Sequence, residues 1–168
     1  MRTLFVALLV AASLSGCAGY HLGEAKPQYL KDIHKIAIPT FRNGTFIPRI
    51  EVLVTNTVIK QFQQDGTYRI TDESQADAVL RANIVTVGRR PVRSVRGNVL
   101  ATSEFNLALA VTYSLFTRDG QKLVGPLTVS GTTSFFVGSD VATEEEQAIP
   151  LAAEDLAVHL VSQLSEGW

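Results

Sequence analysis

Four arginines close together are the residues with the clearest chemical potential in this chain. Arg89, Arg90, Arg93 and Arg96 fall within residues 87–98, a segment that contains no acidic residue. A guanidinium group can bind a phosphate or a carboxylate through two parallel hydrogen bonds. The segment is therefore a candidate site for a lipid headgroup, a phosphorylated sugar or the charged interior of a partner. The alternative is a solvated hairpin loop, although the alternation of arginine with valine and proline favours an extended arm projecting from a sheet.

Cys17, the only cysteine of the 168 residues, is the second residue with identifiable chemistry. It ends a Leu-Ser-Gly-Cys sequence, which follows a charged N-terminus containing Arg2 and an apolar run over residues 4–12. This order is typical of a secretory signal peptide ending in a bacterial lipobox, whose cysteine is lipidated and becomes the first mature residue. The apolar run is shorter than the roughly 20 residues of a membrane-spanning helix. The alternative is an ordinary signal peptide cut near Ala18, which leaves Cys17 in the discarded piece.

A lipid on Cys17 would place the protein outside the cytoplasm and leave the chain without a cysteine for a disulfide. Since there is no second cysteine, the chain cannot form an internal disulfide, and stability must come from a packed core. Ala18 and Gly19 follow the cysteine, and the lack of an aspartate there favours the outer membrane over the inner one. We expect residues 1–16 to be a signal peptide and residues 17–30 a lipidated N-terminus and tether. Residues 31–168 should form a single domain on the periplasmic side.

No group of residues in the sequence indicates catalysis or a bound cofactor. His21, His34 and His159 lack partners at metal-ligand spacing, and no free thiol remains after lipidation. Glycine-rich phosphate loops and a nucleophile elbow are also absent from the sequence. Without Arg2, 14 basic and 16 acidic side chains remain, so a general attraction to nucleic acid is not expected. We predict a protein that is not an enzyme and that needs no cofactor or metal.

The hydrophobic pattern predicts the elements that position the arginines. Apolar residues recur at three- and four-residue steps at Ile50, Leu53, Val54, Val58 and Phe62. This period and the stop at Gly66 favour a helix, although the many β-branched residues make a strand the rival interpretation. Strands are expected at 33–39, 68–71, 78–88, 103–116 and 122–137, with a turn at 42–44. The clearest is 103–116, where apolar residues alternate with small or polar ones.

A second helix is expected at the C-terminal end. Thr143 and Glu146 have the spacing of a capping box, and Pro150 should kink or restart the helix. Its buried stripe should comprise Leu156, Leu160, Val161 and Leu164. Pro126 and Gly131 predict an edge position or a bulge in the last strand. The order β-α-β-β-β-β-α predicts an α/β two-layer sandwich, with a mixed four- to five-stranded sheet and two helices on one face.

Several segments resemble the LptE family of lipopolysaccharide-assembly lipoproteins. The start, Cys17 to Leu22, is similar to the family's Cys-Gly-Tyr/Trp-His-Leu sequence. Residues 36–43 resemble its first strand and turn, and residues 48–62 its first helix. Residues 75–80 and 106–116 resemble the entry to the next strand and the long central strand. The resemblance implies a small mixed sheet with two helices on one face, which the hydrophobic pattern predicts independently.

The resemblance also implies a function. LptE sits inside the lumen of the outer-membrane barrel LptD, helps it fold, plugs it and is thought to engage lipopolysaccharide. The expected partners are thus an LptD-like barrel, in a 1:1 complex, and lipopolysaccharide. The alternative is a periplasmic lipoprotein subunit of another exporter or secretion complex.

The family's functional arginine lies in the loop before the long strand, and Arg96 is its positional match. The resemblance also implies a second basic residue after the last strand. Residues 140–145 contain no lysine or arginine, so Arg93 or Arg90 would have to compensate for it.

Overall fold

The computed structural model describes residues 26–95, 98–136 and 140–167, and it gives side chains for all of these except 94, 95 and 98–103. Cys17 and Arg96 lie outside the described residues. The elements follow one another as β1 (Lys35–Ala37), β2 (Arg42–Asn43), α1 (Ile50–Asp65), β3 (Arg69–Ile70), β4 (Ala78–Val95), β5 (Asn98–Thr117), β6 (Lys122–Phe136) and α2 (Val141–Ser165). Short 3-10 turns at Gln28–Leu30 and Glu73–Gln75 precede β1 and β4.

The strands form one mixed sheet in the order β3-β1-β4-β5-β6. β1 pairs in parallel with both β3 and β4, so β1, α1 and β3 form the predicted parallel crossover. β4 with β5, and β5 with β6, are antiparallel pairs. The mixed sheet of the sequence analysis is confirmed, with one strand more than expected.

The additional strand is β2, at the position where a turn was predicted. Arg42 and Asn43 pair in parallel with Asn83 and Ile84, because β4 continues beyond the end of β1 and leaves its edge open to the chain. The turn comes directly after this pairing. The Asn43 side chain accepts a hydrogen bond from the backbone N–H of Thr45 at 2.9 Å. The turn signal therefore marks the end of a strand that is only two residues long.

The two faces of the sheet differ in what covers them. Leu107, Leu109, Val111, Tyr113 and Leu115 of β5 are at most 1% exposed and belong to the core. The residues between them point to the opposite face, here called the open face, and are only partly buried. Both helices contribute their buried stripes to the same core: Ile50, Val54, Val58 and Phe62 from α1, and Leu156, Leu160, Val161 and Leu164 from α2. The predicted two-layer arrangement is confirmed.

The ends of the two helices are joined by polar contacts. Tyr68, directly after α1, is 2% exposed and donates its hydroxyl to the carbonyl of Leu164 at 2.6 Å. The Ser165 hydroxyl donates to the Asp65 carboxylate at 2.9 Å. Buried polar groups must be hydrogen-bonded to avoid a desolvation cost, and these bonds meet that requirement where the helices pack together.

Helix α2 begins before its predicted capping box. Asp140 is the N-cap, and its carboxylate accepts hydrogen bonds from the backbone N–H groups of Ala142 and Thr143 and from the Thr143 hydroxyl. The Thr143 hydroxyl bond and the two backbone bonds hold the pKa of Asp140 below its usual range. The capping box of Thr143 and Glu146 is therefore a wrong prediction, because the charged carboxylate takes the free helix N–H groups instead.

Pro150 was predicted to kink or restart α2. The restart is wrong, since the helix runs through Pro150 without interruption. Pro150 itself is exposed. Ala148, Ile149, Ala152 and Ala153, on both sides of it, are all buried in the core. Tertiary packing of the two flanks therefore outweighs the loss of one helix hydrogen bond at the proline.

Gly131 of β6 lies directly beneath the backbone of α2. A Cβ atom at this position would overlap backbone atoms of Ala152 and Leu156. Ala152 and Leu156 are both fully buried, so this contact lies inside the core. The helix and strand can therefore approach this closely only because residue 131 has no Cβ atom.

The last strand has the edge position and the irregularity that Pro126 predicted. β6 is the last strand in the sheet order. The Gly125–Pro126 peptide bond is cis, and the register of β6 against β5 shifts beside it. At the outer edge of β6, the Thr132 N–H donates to the Asp155 carboxylate at 2.8 Å, and the Ser130 carbonyl lies 3.2 Å from Nδ1 of His159. Side chains of α2 thus contact two backbone polar groups of this edge, which would otherwise be open to another strand.

Asp77 joins the start of β4 to the start of β1. Its carboxylate accepts the backbone N–H groups of His34 at 3.0 Å and Lys35 at 2.8 Å. Burial raises the pKa of Asp77, but these bonds and the charges of Lys35 and His34 outweigh it and hold the pKa below its usual range. An aspartate with a lowered folded-state pKa stabilises the fold above its unfolded pKa of about 4 and loses this effect as the pH falls through the folded value.

Replacement of Asp77 by asparagine should therefore lower the free energy of unfolding by about 1 kcal/mol at pH 7. The difference from the wild type should shrink below pH 4, because the wild-type carboxyl is then losing its charge. Urea unfolding of both proteins at pH 7 and pH 3 measures this difference. An equal difference at both pH values would contradict a role for the charge.

Candidate functional site

Most of the arginine segment lies in a strand. Residues 89–95 continue β4 and pair with β5, with Arg89 opposite Leu107 and Arg90 opposite Asn106. The predicted extended arm is therefore confirmed over these residues, and the hairpin-loop alternative is wrong for them. Residues 89–96 are called the arginine arm below. The reason is the length of β5, whose backbone offers partners well beyond the predicted end of β4 at residue 88. Any role for Arg96 concerns a residue outside the described part of the chain.

Arg89 has a structural contact at the start of helix α2. It shares the face of Leu107, so its side chain lies on the helix side of the sheet. Its guanidinium forms an ion pair with Glu145 and lies over the ring of Phe105, 5.2 Å from the centroid. Phe105 in turn stacks on Phe135, with centroids 5.7 Å apart. Arg89 thus connects the arm to α2 through one ion pair and an aromatic stack.

Arg93 also has an acidic neighbour. It lies opposite Glu104 of β5, and its Nε is 3.7 Å from the Glu104 carboxylate. The Arg93 side chain is 73% exposed and that of Glu104 only 15%. The segment that lacks acids in the sequence is therefore partly neutralised in three dimensions by residues from β5 and α2.

Arg90 differs from the other two arginines of the described arm. Its partner across the ladder is Asn106, so it lies on the open face, and it is exposed. Within the residues that the structure describes, its guanidinium has neither a hydrogen bond nor an ion pair. Arg90 can therefore bind an external anion without first giving up an internal partner.

The same end of the open face carries an apolar residue that the sequence analysis missed. Phe136 ends β6, lies opposite Glu104 and is 66% exposed. Its neighbour Phe135 is buried on the helix side. Strand alternation could have revealed it, because two consecutive phenylalanines in a strand must face opposite sides. A cation and an exposed aromatic ring at one end of a sheet suit a ligand that has both phosphate and apolar groups.

The histidines have structural surroundings where they are described. The backbone of His34 is bonded to Asp77, and His159 contacts the edge of β6. His21 lies outside the described residues. In the parts of the chain that the structure covers, no three histidine, cysteine or acidic residues converge as a metal site would require. Nor does any helix in these parts have the length and apolar character needed to cross a membrane.

Comparison with known proteins agrees with this architecture. The model of the LptE family, described as lipopolysaccharide-assembly, matches residues 33–164. No curated protein sequence matches the chain significantly.

Similar solved structures include a minor lipoprotein from Acinetobacter baumannii, with a TM-score of 0.58 and 17% identity over 80% of this chain and 94% of that one. An uncharacterized lipoprotein B from Nitrosomonas europaea has a TM-score of 0.57 and 13% identity, over 89% and 90% of the two chains. A PelC dodecamer from Paraburkholderia phytofirmans reaches 0.51 and 15%, over 79% and 89%. Identities this low establish a shared fold. The family match extends over almost the whole described domain, and the chain therefore belongs to the LptE family of lipopolysaccharide-assembly proteins.

Proposed function

We propose that this protein is an outer-membrane lipoprotein that plugs an LptD-like β-barrel and assists the transport and assembly of lipopolysaccharide. The observation that carries the proposal is the family match over residues 33–164. Residues 1–16 would direct export, Cys17 would carry the lipid, and residues 17–30 would tether the domain on the periplasmic side. The role is one of binding and assembly, and it requires no catalytic group, cofactor or metal.

We further propose that the arginine arm binds the phosphates of lipopolysaccharide. Arg96 has this role by its resemblance to the family's functional arginine. The exposure of Arg90 supports a second contact there, which would replace the basic residue missing after the last strand. Arg93 and Arg89 would contribute less, because Glu104 and Glu145 already lie beside them. The exposed ring of Phe136 would meet the apolar part of the same ligand.

Purification from detergent-solubilised outer membrane tests the partner. We expect a large β-barrel to co-purify, and native mass spectrometry to give one copy of this chain per barrel, since a barrel lumen holds a single domain of this size. Two copies per barrel would contradict the plug arrangement. Co-purification with an inner-membrane ATPase complex, or a ring of identical copies without a barrel, would instead support a subunit of another exporter. The ring is a relevant outcome because PelC, of similar fold, forms a dodecamer.

Charge reversal in the arm tests the ligand. The double variant Arg90→Glu and Arg96→Glu should bind purified lipopolysaccharide at least about tenfold more weakly, because a charge-assisted contact contributes roughly 1.5–3 kcal/mol, and less when exposed. Arg93 is left unchanged, since a glutamate there would face Glu104. The matched control is Lys31→Glu with Arg69→Glu, which makes the same charge change at exposed positions outside the arm. If both double variants bind equally well while keeping the wild-type melting temperature, the arm is not the binding site.

A further inference from the structure

A polar groove lies on the open face at the other end of β4 from the arginine arm. It encloses about 460 Å³, and the side chains that matter for its chemistry are Arg42, Arg81, Asn83, Thr112, Ser114 and Phe116. Arg81 pairs with Ser114, and Arg90 with Asn106. Nine residues along the strand separate the two arginines, which corresponds to roughly 30 Å. The groove is therefore distinct from the arm.

The sheet register places a cation, an amide and a hydroxyl in one row across the groove. Arg42 of β2 lies opposite Asn83 of β4, and Asn83 lies opposite Thr112 of β5. In the adjacent row, Arg81 lies opposite Ser114. Directly opposed residues point to the same face, with Cβ atoms about 5 Å apart. Two guanidinium groups thus flank three neighbouring groups that can form hydrogen bonds.

The charge around the groove is predominantly positive. Arg81 and Lys122 both approach the ring of Phe116, at 5.9 and 6.0 Å from its centroid. The acid of the groove lining is Glu73, 3.8 Å from Arg81, and the two side chains are 53% and 66% exposed. An exposed ion pair of this kind is weak, so Arg81 can exchange Glu73 for a ligand anion at little cost.

Several polar groups of the groove have no hydrogen-bond partner among the residues that the structure describes. Within the described chain, the side chains of Arg42, Asn83 and Ser114 form no hydrogen bond. The Thr112 hydroxyl lies 3.1 Å from that of Thr128, so the polar row continues onto β6. A simple anion would need only the arginines. The adjacent amide and hydroxyl groups match a ligand that carries several neighbouring hydroxyls beside its charge.

We propose that this groove binds a phosphorylated sugar. Arg42 and Arg81 bind the phosphate, and Asn83, Thr112 and Ser114 form hydrogen bonds with the sugar hydroxyls. The groove volume lies within the range usual for small-ligand sites. The proposal does not depend on a barrel partner or on the arginine arm, because every group it uses belongs to the described part of this chain.

Ligand-observed NMR with the mature protein, purified from membranes in non-ionic detergent, tests the proposal. The probes are N-acetylglucosamine 1-phosphate, N-acetylglucosamine and inorganic phosphate. We expect saturation transfer to the sugar protons of the phosphorylated probe, and clearly weaker binding of the two partial probes. The double variant Arg42→Gln and Arg81→Gln should weaken binding of the phosphorylated probe at least tenfold, and Ser114→Ala should weaken it two- to fivefold.

The matched control is Lys31→Gln with Arg69→Gln, which also removes two exposed cations and should bind like the wild type. Melting curves show whether each variant is folded, and Ser114→Ala provides a small substitution if the double variant unfolds. Absence of binding to the wild type overturns the proposal. So does unchanged binding in the folded groove variants, or binding of inorganic phosphate as tight as that of the sugar phosphate.

Discussion

Replacing Gly131 with alanine is expected to lower the free energy of unfolding by about 3 kcal/mol, the upper part of the range for overpacked cores. The added methyl group would overlap the backbone of Ala152 and Leu156. Backbone atoms cannot relieve the overlap by a change of rotamer, as a flexible side chain can, so either α2 or β6 must move. A domain of this size is stable by only about 5–15 kcal/mol in total. Loss of this amount should be plain in a urea unfolding curve followed by circular dichroism.

Gly88 provides a matched control in the same sheet. It lies in β4 on the open face, and a Cβ atom there would meet nothing within 4 Å. Gly88→Ala should leave stability unchanged or raise it by up to about 1 kcal/mol, because alanine loses less backbone entropy on folding than glycine. Similar losses for the two substitutions would show that contact with α2 is not the reason for glycine at position 131.

Replacing Cys17 with alanine should remove the protein from the membrane fraction or leave it as an uncleaved precursor. Each buried CH₂ group of an acyl chain contributes about 0.8 kcal/mol to membrane binding, and several chains on one cysteine make attachment close to permanent. The whole population should therefore shift. Membrane fractionation with mass spectrometry of the mature N-terminus measures both the location and the lipid.

Ser15→Ala is the control for this experiment, because it keeps a small residue before the cysteine and should still give a lipidated, membrane-bound protein. A wild-type protein with an unmodified N-terminus that begins after Cys17 would refute the lipoprotein assignment. The arm, the groove and the packing of α2 would be unaffected by that result, since they belong to the folded domain.

The fold was largely predictable from local patterns. In α1, the spacing of Ile50, Val54, Val58 and Phe62 identified a helix although β-branched residues disfavour one, because burial of one continuous face outweighs intrinsic propensity. The alternation in β5 likewise identified the core face correctly. Each of these patterns lies within one segment of the chain, so it can be recognised from a single sequence without knowing which segments pack together.

The candidate sites depended on pairings that no local pattern contains. Arg89 meets Glu145, which is 56 residues away, and Arg93 meets Glu104 only because of the β4–β5 register. An acid-free stretch of sequence was therefore not an acid-free surface. The groove was even less predictable from the sequence, because β2 is only two residues long and shows no strand period. Arg42 lies opposite Asn83 only because β4 extends beyond β1 and pairs with β2 there.

The contacts that Asp155 and His159 make with β6 have a consequence for the protein before it meets any partner. An uncovered strand edge is a template on which a second copy can add its own strand, and this is a common route to aggregation. Here the Thr132 N–H and the Ser130 carbonyl are already engaged within the chain. Sheet extension between copies would first have to break these bonds. The contacts of α2 with β6 therefore disfavour the addition of a strand from a second copy at Thr132 and Ser130.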